Sequence, residues 1–171
     1  MQIGDKRTFM LELDDVGVYG SGMFIYVEGI GYVANRNICT GKSYDYLEKC
    51  GYVTGKEKLI DGESYLCRIL KCTEWDDCMD YGNSDEVWHW GGGYSWVRSI
   101  EYERAKSPYR VLRGYNAASI LTNTSASNTG ANVGFRPVLE VLKTCISAPT
   151  ITTQKACGEI NITINLKTSK I

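Results

Sequence analysis

The 171 residues include 19 basic and 20 acidic side chains for a net charge of −1, which excludes the basic footprint of a nucleic-acid binder or of a protein held on an anionic membrane. A chain of this length can bury one apolar core, so size demands neither a metal nor disulfides. The opening MQIGDKRTFMLELDD is charged where a secretory leader is apolar, and no run approaches the ~20 apolar residues of a membrane span, so synthesis in the cytoplasm without a visible signal peptide is expected.

Residues of high strand propensity recur in short runs between Gly, Asn, Asp and Ser turns. They predict strands at Thr8 to Leu13, Met23 to Val27, Ser64 to Leu70, Tyr94 to Ser99, Arg110 to Gly114 and Val133 to Val141. A two-turn helix is predicted over Ser43 to Cys50, with Ser43 as N-cap, Gly51 beyond its end, and Tyr46, Leu47 and Cys50 on one face. A second helix is predicted from Thr73, with Trp75, Cys78 and Met79 at helical spacing and Glu74, Asp76 and Asp77 near its positive end. These elements predict an α+β domain of short twisted antiparallel strands, two short helices and long loops. The stretch Ile120 to Asn132, ILTNTSASNTGAN, is expected to be an irregular surface loop. Pro137 within VGFRPVLEVL suggests an edge position, a bulge or a gap in the ladder.

The domain is expected to span 1–143. Residues 144–171 are expected to be a β-rich appendage or the start of a following module, with Ile160, Ile162, Ile164 and Leu166 alternating in a half-exposed strand that could also pair, as an edge strand, with a partner chain.

Seven cysteines, at positions 39, 50, 67, 72, 78, 145 and 157, make an odd count, and with no leader predicted they are expected to be mostly free, buried thiols. No Cys-x-x-Cys pair occurs and His89 is the single imidazole, so no metal site is expected. Thr40-Gly41-Lys42-Ser43 lacks the upstream glycine of a phosphate-binding loop, since Arg36 stands there. Gly91-Gly92-Gly93 has no strand-then-helix context and is expected to be a tight turn. Glu74, Asp76, Asp77 and Asp80 could supply carboxylate chemistry but are expected to form a solvated helix face. Arg98, Arg113 and Arg136 fall in otherwise apolar strands and are expected to tie carbonyls or carboxylates together.

The order WHWGGGYSWVRS over 88–99, then YRVLRGY over 109–115, a polar loop, and VGFRPVL over 133–139 is the informative constellation. It resembles the C-terminal half of the C-type-lectin-like fold in formylglycine-generating-enzyme-like domains and in the variable proteins of diversity-generating retroelements, phage tropism determinants among them. The closest match is Ser127-Asn128-Thr129-Gly130-Ala131-Asn132-Val133-Gly134-Phe135-Arg136. Relative to those families Arg113-Gly114-Tyr115 lacks a second glycine and the loop is shorter. Pro137 stands where the sulfatase-activating enzymes carry a reactive cysteine, and the calcium-binding triplets of sugar-binding members are absent. The resemblance therefore implies a binding domain without catalysis, cofactor or metal.

The expected ligand-binding residues are Trp88, Trp90, Tyr94, Tyr115, Asn116, Ser119, Asn123, Ser125 and Asn128, because aromatics with small polar residues on a rigid scaffold form adaptable contact surfaces. Trp96 is expected in the core. The expected partner is a host-surface protein or glycan, met by a phage, prophage or bacterial surface module, with homo-oligomer formation as a further expectation. The competing expectations are an enzyme of the formylglycine-generating-like type, an acidic-site hydrolase using Glu74, Asp76 or Asp77, and a structural virion protein assembled through residues 144–171.

Overall fold

Strict alternation opens the chain: β1 (Lys6–Leu13) buries Phe9, Leu11 and Leu13 and turns Thr8, Met10 and Glu12 outward. The computed structural model describes residues 4–82 and 84–142 in full and, as backbone, residues 144–146, 150–156, 159–165 and 168–170. A 3-10 turn at Asp14–Val16, closed by Gly17 in the left-handed region, returns the chain as β2 (Val18–Val27) antiparallel to β1. The strand β3 (Gly31–Ala34) pairs with the second half of β2, Phe24 to Val27, and a two-residue β4 (Cys39–Thr40) follows.

Helix α1 (Tyr44–Lys49) starts where the sequence places its cap: the Ser43 hydroxyl accepts the Tyr46 N–H at 3.1 Å, and Tyr44 and Leu47 face inward while Tyr46 is exposed. The hairpin β5 (Lys56–Ile60) and β6 (Glu63–Lys71) leads directly into α2 (Cys72–Tyr81), then the one-turn α3 (Asp85–Trp88). Next come β7 (Tyr94–Arg98), α4 (Ile100–Arg104), β8 (Tyr109–Gly114) and β9 (Leu121–Ser125), and the domain closes with β10 (Val133–Phe135) and β11 (Pro137–Val141). All eleven strands join one sheet, whose main path runs β1-β2-β3-β11-β6-β7-β10-β4.

The expected α+β arrangement of antiparallel strands with two helices is corrected by this topology. The unit is predominantly β, its sheet is mixed because β7 runs parallel to both β6 and β10, and the described residues form four short helices. Strand content exceeds the expectation because polar segments also pair: β9 extends along β8 from Tyr109↔Ser125 to Arg113↔Leu121, so residues 121–125 of the expected irregular loop are an edge strand with alternating exposure. β5 is a second such case, burying only Ile60.

Alternation in the central strands sends neighbours to opposite faces. Trp96 and Leu112 join a core with Phe9, Tyr44, Leu47, Tyr52 and Phe135, whereas Val97 and Val111 join a second with Trp75, Cys78, Trp88, Trp90 and Val138. Each fully buried large aliphatic or Phe side chain contributes roughly 1.5–3 kcal/mol of transfer free energy. Pro137 is the first residue of β11, buried beside β6, at the break where the chain steps from β10 across Arg136.

The chain divides into two compact units, Met1–Val141 and Leu142–Ile171. In the second, β12 (Thr144–Ile146) pairs with β15 (Thr168–Lys170), and β13 (Thr150–Ala156) pairs with β14 (Glu159–Asn165). Ile160, Ile162 and Ile164 alternate along β14; their exposure, and Leu166 altogether, lie outside the described residues. No helix among the described residues is long and apolar enough to cross a membrane.

Candidate functional site

The Gly-Phe-Arg run that carries the sequence resemblance has a separate packing reason at each residue. Gly134 lies in β10 between β7 and β4, and a Cβ there would sit 2.5 Å from the Asn37 side chain. Phe135 packs its ring 5.2 Å from Tyr52. Arg136 is 1% exposed; its Nε donates to Ser95 Oγ at 3.1 Å, and one terminal nitrogen donates to the carbonyls of Ala34 at 3.1 Å and Trp88 at 2.7 Å, with the Trp75 ring 5.4 Å away. Burial without a carboxylate partner pushes this guanidinium down to about 10. Arg136 thus joins β3, α3 and β7 through neutral acceptors, the structural role expected of it. Arg113 pairs with Asp76, and Arg98 forms a two-point pair with Glu103 at 2.9 and 3.2 Å.

Of the residues expected to bind ligand, Trp88 and Trp90 are corrected to core. They are 1% and 6% exposed and pack with Trp75 and Val111 beneath the sheet, because the Trp88 carbonyl is held by Arg136 and the Trp90 carbonyl accepts the Tyr115 N–H at 3.3 Å. Tyr94 and Tyr115 are half-buried and stack at 4.8 Å between ring centroids with an 11° interplanar angle. Tyr115 sits at φ +90°, a conformation L side chains rarely adopt, fixed from both sides by the Trp90 carbonyl and the Gly92 N–H. Gly92 and Gly93 therefore form the turn that lets the backbone of 90–94 pass beside Tyr115. The Ala118 carbonyl accepts the Trp75 indole N–H at 2.9 Å, which tethers the short loop and leaves Asn116 and Ser119 exposed on either side.

Asn123, Ser125 and Asn128 do not join this group. They lie along or beyond β9 and are engaged locally: Asn123 donates to the Tyr102 hydroxyl at 3.1 Å, Ser125 shares a hydrogen bond with Ser127, and Asn128 donates to Thr124 and accepts the Gly130 N–H.

A cleft of about 480 Å³ was not anticipated from the sequence. It is lined by Thr8 and Leu11 of β1, by Val18 to Met23 of β2, by Asn35 to Ile38, and by His89, whose φ of +44° caps α3. Asn37 connects the cleft to the aromatic pair, donating to the Tyr94 carbonyl at 2.9 Å and accepting the Ser95 hydroxyl at 2.8 Å. The signal available in the sequence was the polar triplet Asn35-Arg36-Asn37 directly after an apolar strand.

The acidic group does not converge. Glu74, expected on a solvated face, is buried in a two-point pair with Arg68 at 2.7 and 2.8 Å and also accepts the Lys71 N–H at 2.8 Å; burial opposes its ionisation, but these partners together hold the carboxyl below its ordinary range. Asp76, Asp77 and Asp80 are exposed. Burial pushes the Cys67 and Cys78 thiols up to about 12, which leaves them un-ionised and poor nucleophiles near neutral pH. The five described cysteines are free thiols, and no group of three metal-ligating side chains gathers among the described residues. Among the described residues the arrangement offers aromatic faces and amide and hydroxyl groups for contact. No family model, curated protein or solved structure matches this chain.

Proposed function

We propose that residues 1–143 form a non-catalytic ligand-recognition domain that contacts a host-surface protein or glycan from a virion or bacterial surface, through Tyr94, Tyr115, Asn116 and Ser119. The observation that carries this reading is the half-exposed Tyr94–Tyr115 stack on a backbone held at φ +90°. Strained backbone that the surroundings enforce tends to occur where a side chain must be presented in one orientation. Stacked tyrosines supply large contact area at low entropic cost, and neighbouring Asn and Ser supply adaptable hydrogen bonds. The likeness of the 127–136 segment to the variable proteins of diversity-generating retroelements supports the same reading, as does the loop's tether through the Trp75 indole.

A screen of the full chain against arrayed glycans and solubilised host-surface proteins tests it. A ligand should emerge whose affinity falls at least about tenfold in Tyr115→Ala and in Tyr94→Ala, consistent with losing a central aromatic contact of roughly 1.4 kcal/mol or more. An Asn123→Ala variant should bind as the parent does. A ligand that both tyrosine variants retain in full would sink the proposal.

A further inference from the structure

The strand β2 is ten residues long but has a neighbour on its second side for less than half of that length. Its β1 partner runs alongside from Val18 to Ile25, while β3 covers only Phe24 to Val27. Parity fixes which backbone groups face the vacant side. Tyr26 exchanges hydrogen bonds with the β1 side, its N–H donating to Asp5 and its carbonyl accepting from Gly4, whereas the Met23 carbonyl accepts the Asn35 N–H on the β3 side. The odd-numbered residues therefore direct their peptide groups away from β1. The N–H and C=O of Tyr19 and Ser21 and the N–H of Met23 face the cleft, and no strand pairs with them there among the described residues.

The cleft exists because the chain leaves the sheet at this point. After Asn35 closes the last bond to Met23, residue 38 donates to the Phe135 carbonyl instead, so the position a longer β3 would occupy is empty of protein. Asn35 itself is 4% exposed and lines the cleft, and its Oδ1 has no hydrogen-bond partner. The lining also has a charge sign: it contains Arg36, exposed and without an ion pair among the described residues, but no Asp or Glu. Asp14, outside the lining, is turned to the Tyr19 hydroxyl.

We infer that this open edge binds an extended peptide segment with an acidic side chain, which adds to the sheet as a strand beside Tyr19 to Met23 and sets its carboxylate against Arg36. The alternating donors and acceptors repeat along one line at the ~6.8 Å two-residue spacing of a strand, a pattern that a peptide backbone matches and the hydroxyls of a sugar do not. This edge adjoins the Tyr94–Tyr115 contact proposed above through Asn37 but does not rest on it.

The probe is a blocked eight-residue peptide of alternating Thr and Val with one central aspartate, titrated into the isotopically labelled full chain. The amide resonances of Tyr19, Ser21 and Met23 should move, and exchange of the Ser21 amide with solvent should slow. N-methylation of one alternating set of peptide amides should weaken binding about tenfold or more while methylation of the other set does not, because only one set faces β2. Replacing the aspartate by lysine should weaken binding about fivefold, and that preference should vanish in Arg36→Ala. Ser21→Pro removes an N–H that makes no bond to β1 and should abolish binding. Absence of shifts at millimolar peptide, equal effects of the two methylation sets, or a neutral oligosaccharide moving the same amides would each overturn the inference. Tyr115→Ala should leave the titration unchanged; loss of binding in that variant would overturn it as well, whereas failure of the aromatic pair to bind any ligand would leave this result intact.

Discussion

Arg136 is the residue on which separate segments of the domain meet: one guanidinium bonds the end of β3, the last residue of α3 and a β7 side chain. Its acceptors are neutral, so the fold is held there by geometry rather than by Coulomb attraction. A lysine keeps the charge but offers a single nitrogen on a flexible stem, which cannot reach all three acceptors from one position. Arg136→Lys is accordingly expected to lower stability by about 2–4 kcal/mol, read as a fall in the denaturation midpoint with the m-value retained. If the variant kept the parent midpoint, the bonds to Ala34 and Trp88 would contribute nothing net. Glu74 shows the opposite design, a buried carboxylate whose partners are charged. Among the described residues Glu74→Gln leaves Arg68 with only the more exposed Glu140 at 3.1 Å as a carboxylate partner, and a loss of about 3 kcal/mol is expected from the same measurement. The sequence indicates a structural Arg136, since an arginine in VGFRPVL has no polar face to occupy, but it does not reveal the burial of Glu74, because its partner Arg68 sits on a different element and only the fold brings the two together.

The turn between β1 and β2 is fastened to the β5 hairpin and to the α1 region by one side chain. Asp15 accepts from Lys56 at 2.7 Å, Tyr52 at 3.2 Å and Lys58 at 3.4 Å, while its carbonyl accepts the Tyr46 hydroxyl at 2.5 Å. The Lys56 hydrogen bond chiefly holds the carboxyl down at about 2, below its ordinary 3.8. A carboxyl whose folded pKa lies below its unfolded one stabilises the fold fully above pH ~4, and that contribution is lost as the pH falls from about 4 towards about 2. With the side chain 34% exposed, solvent screening limits the effect to ~1 kcal/mol. Asp15→Asn should therefore cost about that much at pH 7 and little at pH 2, followed by thermal unfolding across this range; an equal cost at both ends would assign the effect to packing alone. Elements with strong alternation were legible in advance, β1 from Phe9, Leu11 and Leu13 and α1 from Ser43 and Gly51. The charged strand β5 and the Thr/Asn strand β9 were not, because their pairing comes from the neighbouring strand rather than from an apolar face of their own.

Across the whole molecule, the candidate site was legible in part: Tyr94 and Tyr115 could be singled out from their residue types, but the burial of Trp88 and Trp90 and the opening beside β2 depend on where the chain turns between distant segments. The same two tyrosines separate a recognition domain from a protein whose role is assembly alone. In an assembly protein the stacked pair would serve stability, and removing one ring should lower it by the stack's ~0.5–1.5 kcal/mol plus the buried area lost. In either role the backbone at Tyr115 carries a conformational cost of about 1–3 kcal/mol that glycine does not incur. Tyr115→Gly then sets relief of that cost against loss of the stack, and its unfolding free energy should stay within about 1 kcal/mol of the parent or rise, while affinity for the ligand found in the surface screen falls at least about tenfold. Calorimetry on the parent and on Tyr115→Gly, paired with binding measurements on the same samples, resolves the two roles: preserved stability with lost binding supports recognition, and lost stability with unchanged association of the chain with its partners assigns the pair to the scaffold.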